Sequence, residues 1–247
     1  LHLSVHSFPT RRSSDLTLYG DLDVSKIDEM PAGRKPVTTV QRHEKQRGDV
    51  YAFIRERLQA GEQAYVVYPL VEESEKLDLK DAESGHATLQ AQFPDFTVGL
   101  VHGRMPSDAK DETMRAFKAG DIDILVSTTV IEVGVDVPGA TVMLIEHAER
   151  FGLSQLHQLR GRVGRSDMQS YCILMAGYKQ SAEAKQRLAA MTRTTDGFKI
   201  SEEDLRIRGA GDFFGTRQSG MPELQLADIT EDTDLLETAR EAATALI

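Results

Sequence analysis

No loop of the form G-x-x-x-x-G-K-[ST] occurs anywhere in the 247 residues, and no acidic box of the D-E-x-H type follows a predicted strand. The first would cradle phosphates on backbone N–H groups and the second would hold Mg²⁺. Neither half of that apparatus is expected from this chain alone. No Cys/His cluster has metal-ligand spacing, and no serine has the context of a nucleophile elbow. There is one cysteine, Cys172, inside the apolar run 171–175, where it reads as a buried core residue. One cysteine cannot close an internal disulfide, so a reducing, cytoplasmic setting is expected. No apolar run approaches the length that spans a bilayer, and no membrane contact is expected. Internal repeats and low-complexity tracts are absent as well.

The composition is that of a folded protein: hydrophobic residues make up 40% and charged residues 28%. The formal charge of −10 excludes a surface that is basic all over. It leaves room for a local stripe of Arg and Lys, which is all that phosphate recognition needs. The acidic residues gather at 72–83 and 231–241, away from the arginine clusters, and read as solvated faces and loops. Residues 1–16 show neither helical nor strand period and no signal-peptide plan, so they read as a leader foreign to the fold or a short disordered arm.

From Val37 onward, short apolar runs alternate with amphipathic stretches. Strands are expected at 37–40, 64–68, 97–101, 122–127, 141–145 and 171–175, several nearly continuous in Val, Ile and Leu as buried parallel strands would be. Helices are expected at 49–60, 107–119 and 153–159, the first two stopping at Gly61 and Gly120. The acidic stretch 72–85 reads as a long mobile loop. The expected fold class is α/β, an open parallel sheet covered by helices. Ligands of such sheets collect at the carboxyl ends of strands, which directs attention to the loops after Ser127 and around Arg160. Beyond Tyr178 the pattern turns helical, at 181–193 and 202–207, the second with a capping-box-like Ser201-x-x-Asp204. A terminal helix is expected from Thr230.

The densest chemical signal is residues 155–165, Q-L-H-Q-L-R-G-R-V-G-R. Arg160, Arg162 and Arg165 alternate there with Gly161 and Gly164. The guanidinium fork matches phosphate oxygens, and glycine lets backbone approach a ligand closely. Arg162 and Arg165 are three apart and would face one way in a helical turn. Such a pair suits a polyphosphate whose charge rises during cleavage.

Three further segments carry weaker signals. Residues 127–138, S-T-T-V-I-E-V-G-V-D-V-P, offer the Thr128 and Thr129 hydroxyls, a turn at Gly134 and the Asp136 carboxylate. They read equally well as a turn held by local Thr and Asp hydrogen bonds. Val101-His-Gly-Arg104 ends a strand with a cation beside a glycine, or else holds a histidine satisfied by backbone. Residues 206–220 place Arg206, Arg208, Arg217 and Gln218 around four glycines and the pair Phe213 and Phe214. This reads as a basic hairpin gripping a nucleic-acid strand, or as a glycine-rich loop with a packed aromatic anchor.

The run 128–165 resembles motifs V and VI of superfamily 2 helicases. Its variant V-I-E-V-G-V-D-V-P followed by H-A-E-R-F-G-L-S-Q-L-H-Q-L-R-G-R-V-G-R is similar to the RecG family of ATP-dependent DNA helicases, as is T-L-Y-G-D-L-D-V-S at 17–25. Residues 204–220 resemble the translocation motif shared by that family and the transcription-repair coupling factors, the nearest alternative. The resemblance covers 17–247 and implies a RecA-like motor fragment. Residues 17–36 would link from a first motor domain, 37–180 would be the second RecA-like domain, and 181–247 a helical region with the translocation motif. It implies ATP with Mg²⁺, held mainly by the first domain, and branched or duplex DNA as partner to a monomer. Arg162 and Arg165 would be catalytic and face the γ-phosphate, with Gly134, Asp136 and Gln158 also on the nucleotide side. Gly103, Arg104, Thr128 and Thr129 would meet DNA. Arg206, Arg208, Arg217 and Gln218 would couple domain closure to movement. The fragment alone is expected to be inactive. A DNA-binding module without nucleotide chemistry is the alternative from another functional class.

Overall fold

The computed structural model describes residues 35–69, 75–128 and 136–208, with Thr238 and Ala242, and the side chains of these except 75–78, 80 and 208. Residues 29–207 form one compact unit; the other, 1–28 with 208–247, lies almost wholly outside the described residues. The leader, the front linker up to residue 34, most of the terminal helix from Thr230, and Thr129, Gly134, Arg217 and Gln218 therefore fall outside them.

Six strands form one parallel sheet: β1 Thr38–His43, β2 Gln63–Tyr68, β3 Val98–Val101, β4 Ile124–Thr128, β5 Ala140–Ile145 and β6 Tyr171–Ala176, in the order β1-β6-β5-β2-β4-β3. All the expected strands are present, with ends displaced by at most three residues. β2, β4 and β5 are buried at every position, as their unbroken apolar runs require of strands covered on both faces. The helices are α1 Arg47–Gln59, α2 Glu75–Gln92, α3 Ser107–Ala119, α4 Leu153–Arg160, α5 Ala182–Arg193 and α6 Gly197–Arg208.

Alternate residues of each strand point to opposite faces. One face gathers Val66, Val126, Leu144 and Ile173 against Val50, Ile54 and Leu58 of α1 and Ala82 and Leu89 of α2. On the other face Tyr65 meets Phe117 of α3 edge to face at 4.9 Å between centroids.

Two local expectations fail. Much of the stretch read as a mobile acidic loop is α2. Its polar residues hide the period, but Ala82, Leu89 and then Phe93 are all fully buried, at spacings of one and two helical turns. Gly85 faces the Tyr68 ring so closely that a Cβ there would overlap its hydroxyl. The last helix starts earlier than Ser201. Asp196 Oδ1 accepts the Phe198 and Lys199 N–H groups at 2.9 and 3.4 Å, so Asp196 performs the capping assigned to Ser201.

Candidate functional site: an arginine turn at the amino end of the sheet

β5 and β6 are adjacent and parallel, so the helix joining them must run back across the sheet. α4 therefore starts near the carboxyl end of β5 and delivers the arginine turn to the amino ends of the strands. The carboxyl-end expectation is thus wrong for the loop around Arg160. The loop after β4 does leave from the carboxyl end. Residues 102–104 follow the carboxyl end of β3, and Asp136 stands four residues ahead of the start of β5. Among the described residues, Arg162, Arg165 and Asp136 are accordingly separated along the strand direction from Gly103, Arg104 and Thr128.

The helix ends at Arg160, so Arg162 and Arg165 are not related by a helical turn. The Arg162 N–H donates to Leu159 O at 3.0 Å, and Gly164 takes φ 75°. A Cβ on Gly164 would come within 2.6 Å of Val37 Cγ2. Glycine is required there twice over, by conformation and by close approach to the chain entering β1. The turn is tied to the loop before β5 by Ser166 Oγ, which donates to Pro138 O at 3.1 Å.

The three arginines have different fates. Arg160 is 3% exposed and its guanidinium is spent internally. It donates to Met191 O at 3.0 Å, Thr194 O at 2.8 Å, Thr195 O at 3.3 Å and His157 Nδ1 at 3.0 Å. It thereby satisfies carbonyls at the end of α5 that the helix leaves without partners. Burial pulls its pKa below the usual arginine value. Burial, then the charge of Arg160, depress His157 to about 4, so its ring stays neutral and accepts.

Arg162 and Arg165 are only partly buried. Arg165 Nε donates to Gly161 O at 3.2 Å, and its Nη1 lies 3.6 Å from Asp136 Oδ1, whose side chain is 57% exposed. Both guanidinium groups and the Asp136 carboxylate act on the hydroxyl of buried Tyr65. Burial pushes that phenol up to about 12, and the two arginines oppose the rise. Arg162, Arg165 and Asp136 thus converge on one region beside β2. Gln158 is exposed on α4. Among the described residues no group of His, Cys, Asp or Glu is arranged to hold a metal ion, and no helix is long and apolar enough to cross a membrane.

On the opposite end, Gly103 and Arg104 are exposed in the turn after β3. Lys110 of α3 donates to Gly103 O at 2.7 Å, adding a cation that sequence reasoning missed; an isolated lysine on a polar helix face gives no signal of its own. Thr128 is fully buried at the end of β4, and its hydroxyl finds no partner among the described residues. Arg206 is exposed on α6 and forks onto Glu203 at 2.6 and 3.1 Å. Arg208 ends that helix.

Comparison with known proteins gives a consistent picture. Residues 48–167 match the helicase conserved C-terminal domain, and 194–247 match the family described as ATP-dependent DNA helicase RecG, domain 3, C-terminal. The chain is 53% identical to the ATP-dependent DNA helicase RecG of Synechocystis over 99% of its own length and 30% of that protein. It is 52% identical to RecG of Thermotoga maritima over 97% of its length and 31% of that protein. It therefore spans about a third of the length of the curated relatives it matches. A solved structure of RecG bound to a three-way DNA junction superposes with a TM-score of 0.70 at 48% identity, over 92% of this chain and 29% of that one. A yeast DEAD-box splicing factor, Prp28, shares the fold at a TM-score of 0.50 and 12% identity, over 76% of this chain and 39% of that one.

Proposed function

Because this chain belongs to the RecG-type family of superfamily 2 ATP-dependent DNA helicases, we propose that it is the second motor lobe of such an enzyme, acting on branched or duplex DNA in repair and recombination. Residues 37–180 form that RecA-like lobe, and 181–247 carry the translocation region. ATP lies between this lobe and a first one that supplies the phosphate loop and the Mg²⁺ carboxylates. The parent enzyme acts as a cytoplasmic monomer.

The observation that carries the reading is the convergence of Arg162, Arg165 and Asp136 at the amino end of the sheet. Two partly exposed guanidinium groups there can reach a ligand held by another lobe. The Arg165–Asp136 pair, long and exposed, is worth under about 1 kcal/mol. A γ-phosphate carries more charge and matches the guanidinium fork, so it can take Arg165 from Asp136 when the cleft closes. Charge then placed on the transferring phosphoryl group is worth about three to five decades of rate. The resemblance assigns Gly134 and Gln158 to the same nucleotide-side role.

DNA passes over the carboxyl end, along Gly103, Arg104 and Thr128, and the resemblance gives Thr129 the same role. The Thr128 hydroxyl is buried, so a contact with DNA at this position runs through backbone. Arg206, Arg208, Arg217 and Gln218 convert opening and closing into displacement of DNA.

The test is a chimera in which this chain replaces the matching stretch of the Thermotoga maritima relative. The chimera hydrolyses ATP when branched DNA is added, and the 247-residue chain alone does not. DNA-stimulated turnover by the chain alone, or none by a folded chimera, contradicts the reading.

A further inference from the structure

The carboxyl ends of β1, β6 and β5 lie side by side, on the strand end opposite the arginine turn. There the His43 and Tyr178 rings stack, with centroids 5.3 Å apart and planes 16° apart. His43 is fixed from two sides. Its Nδ1 lies 3.2 Å from the Ala176 carbonyl, and its backbone N–H donates to Gln46 Oε1 at 3.1 Å. Tyr178 nevertheless remains 59% exposed, the most of any large hydrophobic residue described. The Lys45 ammonium hangs 5.8 Å from the centre of its ring. Lys179, next in the chain, and His147, just past the carboxyl end of β5, are exposed.

Acidic neighbours are present, and each is engaged. Glu44 takes the Arg47 guanidinium at 2.6 and 2.7 Å. Glu149 accepts the Gly177 N–H at 3.2 Å and lies 4.0 Å from His147 Nδ1. On a chain of net charge −10, this edge presents lysines outward around an aromatic ring.

A lone exposed tyrosine is ordinary. A tyrosine backed by a second, anchored ring and overhung by a flexible ammonium is a different object. Its π-face can receive a base of any sequence, and the lysine can swing from the ring to a phosphate. We infer that His43 and Tyr178 form a stacking platform for an unpaired base of a single-stranded nucleic acid, with Lys45 and Lys179 on the flanking phosphates. The inference rests on the DNA-translocase reading only for the kind of ligand, and it adds a contact at the β1 edge beyond the loops already assigned to DNA.

The experiment is a salt titration of labelled oligothymidine binding to the 247-residue chain, followed by fluorescence anisotropy. Tyr178→Leu keeps an apolar cover and removes the ring. It weakens binding about five- to a hundredfold without changing the salt dependence. Tyr178→Phe keeps the ring and binds like the parent, which separates stacking from damage to the fold. Lys45→Gln flattens the slope of log affinity against log salt by about 0.7, the loss of one single-strand phosphate contact. A blunt duplex offers no free base and does not respond to Tyr178→Leu. The platform is overturned if Tyr178→Leu binds oligothymidine as tightly as the parent, or if the parent does not bind it at low salt. The motor reading is judged separately, by ATP turnover of the chimera, so the two can fail independently.

Discussion

The Arg160 guanidinium and the Thr194 carbonyl meet at 2.8 Å, across 34 residues of sequence. This bond and its companions to Met191 and Thr195 tie the end of α4 to the α5–α6 junction. The first arginine of the cluster is thereby an internal clamp, while Arg162 and Arg165 stay at the surface.

That difference predicts opposite mutational outcomes. Arg160→Ala strips three carbonyls of a charged donor in a buried place and costs about 3 kcal/mol or more of folding stability. Arg162→Ala and Arg165→Ala change it by less than about 1 kcal/mol. Urea unfolding of the three variants checks the contrast.

His157 gives the fold an acid-side weakness. Its pKa is about 4 in the folded chain, against an ordinary 6.5. Between these values the unfolded chain binds a proton that the folded chain refuses. The stabilisation is complete above pH 6.5 and fades as pH falls toward 4, by an amount on the order of 2 kcal/mol. His157→Asn keeps an acceptor for Arg160 without titrating. Its urea midpoint falls less than the parent's between pH 7 and pH 5.

An ion pair with its acidic end buried holds the turn from β5 toward α4. Arg47 forks onto Glu146 at 2.5 and 2.9 Å, and Glu146 is 2% exposed. The carboxylates of Glu44 and Glu146 raise the Arg47 pKa further. Glu146→Ala removes the buried acceptor, leaves Arg47 on exposed Glu44 alone and costs about 1–3 kcal/mol. Replacing both by methionine costs less than that single change, because the desolvation penalty disappears with the charges. Thermal melts of the single and double variants decide it.

Glycine to alanine inside a helix ordinarily stabilises by about 1 kcal/mol. At Gly85 the sign reverses. A methyl group there overlaps the Tyr68 ring, which is 8% exposed and has little room to move. Gly85→Ala destabilises by about 1–3 kcal/mol. Gly48→Ala does not, because the space its methyl group would fill is open. Melting temperatures of the two variants report the reversal.

The sheet was legible in the sequence because each buried strand is an unbroken apolar run, and the two flanking helices α1 and α3 because each ends at a glycine of positive φ, Gly61 or Gly120. α2 was not, since its buried stripe is carried by an alanine and a leucine among charged residues, with Gly85 weakening any helical reading. The arginine cluster was legible as chemistry. Its division of labour was not, because only the packing of α5 against α4 decides that Arg160 turns inward. Its position at the amino end follows from the run of α4 between two adjacent parallel strands, a property of strand order that local pattern does not contain. The approach of Asp136 to Arg165 required the same knowledge, as their segments are joined only through β5 and α4.

The most direct measurement is ATP turnover by the chimera with branched DNA present, comparing Arg162→Ala and Arg165→Ala with the parent. If these guanidinium groups complete a nucleotide pocket whose remainder lies on another lobe, each variant loses about three or more decades of rate with its melting temperature nearly unchanged. Turnover equal to the parent's in both variants would contradict that account.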